Sequence, residues 1–158
     1  MNRPSVLLRP LRPTDLERIA QLEVELFGAA AWSRSMYEDE LAQPDRYYVA
    51  AEVAGNLVGY AGIALASDAQ VMTVGVTADQ RRRGIATLLV ADLVERARAG
   101  RSNQVFLEVR AGDLGAQELY RRAGFEPIGT RRRYYQPDGE DAVVMRLTLR
   151  AGALPLGR

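Results

Sequence analysis

The chain has 158 residues and a formal net charge of +1, with 47% apolar residues. That suits one folded domain with a real core and no global basic field of the kind a non-specific DNA binder carries. It contains no cysteine, histidine or lysine, so all 21 basic side chains are arginine. Disulfides, thiolate and histidine metal sites, cysteine nucleophiles, Ser-His-Asp triads, a P-loop lysine and Schiff-base chemistry are excluded together. Acid–base chemistry near neutral pH must then use Asp, Glu, Tyr, water or the substrate.

No apolar run is long enough to span a bilayer, and the opening "MNRPSVLLRPLRP" breaks off with prolines before a signal-type apolar core forms. The expectation is a soluble, cytoplasmic protein with no membrane partner. "SVLLRPL" reads as a strand. "PTDLERIAQLEVELF" reads as a helix, with Thr14 and Glu17 spaced as a capping box before Leu16, Ile19, Leu22 and Leu26. "SRSMYEDELAQ" is a second, shorter helix closed by Pro44. "RYYVAAEV", the turn "AGN" and "LVGYAGIALA" form a hairpin, and "AQVMTVGV" adds a third strand.

A long helix follows, with Ile85, Leu88, Leu89, Leu93 and Ala97 on one face and Gly100 at its end. "QVFLEVR" has the apolar character of a central strand. "LGAQELYRRAG" is a short helix, and "FEPIGTRRRYY" with "DAVVMRLTL" forms a last hairpin around "QPDG". The order β-α-α-β-β-β-α-β-α-β-β specifies an α/β fold. Its central sheet is mixed and mostly antiparallel, with helices on its flanks. Residues 1–150 are read as a single domain and 151–158 as a frayed tail.

The turn "QRRRGIA" before the long helix carries the most chemistry. A helix N-terminus offers unpaired N–H groups and a positive dipole end, which suits phosphate. Gly84 and Ala86 are small enough to let a ligand approach the backbone. The letters do not fit the Walker A or the Rossmann pattern, and the helix beyond is too apolar for a nucleic-acid stripe. Isolated, R-x-x-G-x-A would be read as a solvated charged turn.

In context, after a strand and before a long helix, R-x-x-G-x-A resembles the acetyl-CoA pyrophosphate loop of the GNAT superfamily of N-acetyltransferases. The element order is similar to that fold. Downstream, Leu107–Arg110, Ala116–Tyr120, Gly124–Phe125, Arg131–Tyr135 and Asp138–Ala142 stand in the order L-E-V-R, A-x-x-L-Y, G-F, R-R-x-Y-Y, D-G-x-D-A. That series, with Trp32–Ser33 upstream, resembles the ribosomal-protein alanine N-acetyltransferase type over nearly the whole chain.

The resemblance implies an acetyl-CoA-dependent acyltransferase with no metal, working by direct transfer in a ternary complex. Its acceptor would be a protein N-terminal peptide, the N-terminal alanine of a small-subunit ribosomal protein (S18 type). A broader N-terminal or small-amine acetyltransferase and a non-catalytic ribosome- or RNA-binding module are the alternatives. A monomer is expected, with no DNA partner. The acetyl-CoA site would comprise the strand residues Val74, Gly75 and Val76, the loop residues Arg81, Arg82, Arg83, Gly84, Ile85, Ala86 and Thr87, and Asp113. A backbone N–H near Val76 would meet the thioester oxygen.

Glu108 would be the base, directly or through water, and Tyr120 would protonate the departing sulfur. On composition alone, Glu108 reads instead as the ion-pair partner of Arg110 or another arginine, and Tyr120 as a core residue. Trp32, Tyr134 and Tyr135 would line the peptide site. Two positions depart from the type: Asp113 stands where Asn is usual, and Ala31 replaces a proline before Trp32.

Overall fold

The computed structural model describes residues 5–150; the tail over 151–158 lies outside them. The strands are β1 (Val6–Pro10), β2 (Arg46–Val53), β3 (Asn56–Ala64), β4 (Asp68–Val76), β5 (Gln104–Arg110), β6 (Glu126–Arg131) and β7 (Ala142–Thr148). The helices are α1 (Leu16–Phe27), α2 (Arg34–Ala42), α3 (Ile85–Ala99) and α4 (Leu114–Arg122). The order along the chain is the one expected from the sequence. The strands form one seven-stranded sheet in the order β1-β2-β3-β4-β5-β7-β6. Every pairing is antiparallel except β4 with β5.

Period-two alternation divides the core between the two sheet faces. One face carries Val49, Ala51, Ala61, Ile63, Ala69, Val71, Val105, Leu107 and Val109. It is covered by Ile85, Leu89, Val90, Leu93, Val94 and Ala97 of α3, with Leu119 and Tyr120 of α4 packed against its edge. The opposite face carries Tyr48, Ala50, Leu57 and Tyr60 under Leu16, Ile19 and Leu22 of α1 and Tyr37 of α2.

Three local expectations are corrected and one, the end of α3, holds. Leu88 is 45% exposed, because the buried stripe of α3 passes through Val90 and Val94 instead. The Thr14–Glu17 box does not form: Pro13–Asp15 make a 3-10 turn, and the Asp15 carboxylate accepts from the Arg12 N–H at 2.7 Å and from Arg9. α3 ends at Gly100 as expected, yet Gly100 has φ −80 and the left-handed position is Arg101 at φ 63. The last hairpin has a longer connection than "QPDG". β6 stops at Arg131, Arg133 turns to φ 51, and its N–H is taken by Asp141 at 2.9 Å.

The feature that positions the site is a fork. β4 and β5 pair only through Asp68–Gln104, Ala69–Val105 and Gln70–Phe106. Just beyond, β4 bulges: Ile63 faces Val71 but Gly62 faces Thr73, leaving Met72 as the extra residue. A bulge bends and twists its strand. From Val71 onward β4 leaves β5, while β5 continues along β7 to Arg110. The sheet therefore opens in its middle, presenting the β4 edge up to Val76 on one side and Leu107–Arg110 on the other.

Candidate active site at the sheet fork

At the upper end of β4, Val74 and Val76 pack toward the α3 core. Gly75 faces the other way, against Tyr60: a Cβ there would stand 2.8 Å from Tyr60 Cζ and 3.2 Å from Leu26 Cδ1. Glycine is required by that close approach, and it lets β4 run straight past the buried tyrosine. The β5-facing edge of this segment has no strand partner, so its backbone can take an extended ligand as an added strand.

The chain then passes through Thr77 and a 3-10 turn over Ala78–Gln80 to the arginine loop. Arg82 (φ 61) and Gly84 (φ 77) are both left-handed, which folds the loop tightly before α3. Gly84 is the N-cap and no side chain caps the helix. The first-turn N–H groups at Ile85, Ala86 and Thr87 are thus left as donors for an anion. Arg81 and Arg82 are exposed, whereas Arg83 turns back to donate to Gln80 Oε1. The backbone and the small residues make the cradle, and the arginines supply its surrounding charge. This donor set and the open strand edge fit a pyrophosphate carrying an extended arm.

Glu108 lies on β5 between Leu107 and Val109, which both point into the α3 core. It therefore points to the opposite face of the sheet. Its side chain is 12% exposed. Oε2 accepts from Gln70 Nε2 at 2.6 Å, across the fork, and Oε1 stands 3.9 Å from Arg131 Nε. Arg110 is not its partner; that guanidinium bonds Asp138 at 2.8 Å and Glu140 at 2.9 Å. Both carboxylates of the last connection are thereby paired with Arg110, whose single charge offsets one of the two.

Tyr120 sits on the other face. It packs edge-on to Phe125 with ring centroids 6.0 Å apart. Burial pushes its phenol well above the usual range, and the charges of Asp113 and Tyr135 push in the same direction. Its proton is held until a strong base arrives. Glu108 and Tyr120 thus flank the fork from opposite faces of the sheet.

Tyr134 and Tyr135 stack edge-on at 5.0 Å. The Arg110 guanidinium lies 4.3 Å over the Tyr135 ring, and Arg131 lies 5.6 Å over that of Tyr134. Both tyrosines therefore stand on the Glu108 side. Burial, and then the neighbouring Tyr134, push the Tyr135 phenol up to about 12. Trp32 belongs to the α1–α2 core on the same face of the sheet, where its ring contacts Tyr37 at 5.4 Å. Asp113 N-caps α4, accepting from the Ala116 N–H at 3.0 Å, a task in which Asp and Asn are equivalent.

Two functional candidates were not foreseen from sequence. Gln70 reaches Glu108 from 38 positions away, which no local pattern reveals. Glu23 is 2% exposed beneath the α1–α2 loop, where it accepts from the Tyr37 hydroxyl and from the Trp32 N–H at 3.2 Å. Its position four after Ile19 and three before Leu26, inside the apolar stripe, was the available signal. Among the described residues, no group of His, Cys, Asp and Glu could hold a metal, and no helix is long and apolar enough to cross a membrane.

Comparison with known proteins agrees with this geometry. The chain is 41% identical over 147 residues to the N-alpha-acetyltransferase RimI of Mycobacterium tuberculosis, covering 89% of this chain and 91% of that protein. It is 29% identical over 143 residues to the [ribosomal protein bS18]-alanine N-acetyltransferase of Salmonella typhimurium, covering 88% and 95%. The crystal structure of the ribosomal-protein-S18-alanine N-acetyltransferase from Escherichia coli superposes with a TM-score of 0.83 at 25% identity, over 96% of this chain and 100% of that one. Residues 16–125 match the acetyltransferase (GNAT) family. With that match across most of the described chain, and with a sheet that parts beside an uncapped helix N-terminus, the protein belongs to the acetyltransferase (GNAT) family.

Proposed function

We propose that the protein is an N-alpha-acetyltransferase that uses acetyl-CoA to acetylate the N-terminal alanine of ribosomal protein bS18. The observation that carries this reading is the fork, with a carboxylate on one face and a high-pKa phenol on the other. Acetyl-CoA supplies the thioester carbonyl. The β4 edge from Val74 to Val76 would hold its arm by backbone pairing, and the N–H groups from Arg82 to Thr87 would hold its pyrophosphate. The acceptor enters from the Glu108 face, past Tyr134 and Tyr135.

An α-amine has a pKa of roughly 8, against roughly 10.4 for lysine, so far more of it is neutral near pH 7. A carboxylate suffices to take its proton as the new bond forms. Glu108 does this with Oε1, the oxygen that no close donor occupies. Tyr120 delivers a proton to the sulfur on the other face, because a thiolate leaves more readily once protonated. The Salmonella relative and the Escherichia coli structure, both named for alanine N-acetylation, support the choice of acceptor.

The test is mass spectrometry of a panel of peptides, incubated with acetyl-CoA, that begin with alanine, serine or methionine or carry only a lysine amine. An alanine-first bS18 peptide should be acetylated at its α-amine and fastest of the set. Glu108→Gln and Tyr120→Phe should each lower kcat by about 10²–10⁴-fold. Equal rates on the lysine-only peptide would overturn the acceptor assignment. Thiol release untouched by both substitutions would overturn the residue roles.

A further inference from the structure

Gln70 is the last residue of β4 that has a partner on β5. Because Gln70 pairs with Phe106, and Glu108 lies two residues further on, both side chains stand on the same face of the sheet, one on each side of the fork. The amide nitrogen donates to Glu108 Oε2 at 2.6 Å and to the carbonyl of Val71 at 3.3 Å. The second bond ties the amide to its own strand. It also fixes the orientation of the amide, since the reverse would set its oxygen against both acceptors.

We propose that Gln70 is a positioning residue for Glu108, occupying one carboxylate oxygen so that the other is left facing the acceptor amine. A neutral donor suits this task. It steadies the carboxylate without placing a further positive charge where an ammonium group must dock. The other groups around Glu108 are less constrained. Arg131 of β6 stands 3.9 Å off and is 59% exposed. Arg110, on the same strand, is engaged by Asp138 and Glu140, and Tyr135 approaches from the last connection. Gln70 is therefore the one close donor to this carboxylate among the described residues.

The inference rests on Glu108 as the base. Losing the donor leaves the carboxylate free to turn away from the amine, so the loss must fall on kcat and not on substrate binding. The experiment measures kcat and KM with acetyl-CoA and an alanine-first peptide, for Gln70→Leu, Gln70→Ala and Gln70→Glu. Acetyl-CoA affinity and thermal melting are recorded for each variant.

Gln70→Leu and Gln70→Ala should lower kcat by about tenfold with KM little changed, the scale of a hydrogen bond to a charged group. Gln70→Glu, which removes the donor and sets a like charge beside Glu108, should lower kcat at least as far. Acetyl-CoA affinity should stay as in the parent. A purely structural role would lower the melting temperature and leave kcat, measured well below that temperature, unchanged. If Glu108→Gln abolishes transfer while all three variants keep the parental kcat, the positioning role is wrong and the base assignment stands. If Glu108→Gln keeps the parental rate, the base assignment itself fails, whatever Gln70 does.

Discussion

Glu23 sits in the apolar stripe of α1, in contact with the hydroxyl of Tyr37 and the N–H of Trp32. Burial raises its pKa, and those hydrogen bonds offset the shift only in part. A carboxyl whose folded pKa is raised contributes stability below its unfolded value of roughly 4.3 and loses it as pH rises through the folded value. At neutral pH its burial is therefore a cost, and it is retained where it pins the α1–α2 loop to the core. Glu23→Gln should flatten the pH dependence of stability in the acidic range. Glu23→Ala should cost about 2–3 kcal/mol, because the buried Tyr37 hydroxyl and the part-buried Trp32 N–H lose their acceptor. Urea unfolding at pH 4.5 and pH 7.5 checks both. Trp32, two residues after the short turn at Gly28–Ala30, is held by the same carboxylate.

At the scale of elements, the helices and strands were legible because their periods are clean: Leu16, Ile19 and Leu22 on α1, and the alternation of Leu107 and Val109 around Glu108. In the arginine loop the sequence pointed to the small residues, and Gly84 there takes a left-handed φ of 77 while Arg83 is turned onto Gln80. What could not be read were contacts that depend on register. The Gln70–Glu108 bond needs the parallel pairing of β4 with β5, and the Arg110 carboxylate clamp needs the path of the last connection. The Thr14 box failed for a related reason. Asp15 had a better-placed N–H in Arg12 and a guanidinium in Arg9. Gly84→Ala puts a Cβ on a left-handed residue, at about 1–2 kcal/mol. The loop should relax from the anion-binding form. KM for acetyl-CoA should then rise by about tenfold with kcat little changed, measured by steady-state kinetics at saturating peptide.

At the scale of the molecule, the β1–β4 part of the sheet is joined to the β5–β7–β6 part only by the three pairs below the fork. A ligand lying along the β4 edge and reaching the α3 N-terminus would link the parts that the fork separates. Binding to the folded state alone adds about 2.7 kcal/mol at a ligand concentration 100 times Kd. For a chain of this size that corresponds to a rise in Tm of roughly 5–10 °C. Thermal melts with coenzyme A should show it, and Gly84→Ala should need more ligand for the same rise.

The same fork bears on how the protein avoids sticking to itself. An unpaired strand edge is a template for edge-to-edge aggregation, and most proteins keep such edges short, charged or covered. Here the edge lies inside the sheet, flanked by α3 on one side and by β5 on the other. Because β4 and β5 diverge only beyond Gln70, the bulge at Met72 opens this edge without moving it to the rim of the sheet, where a second copy could add a strand.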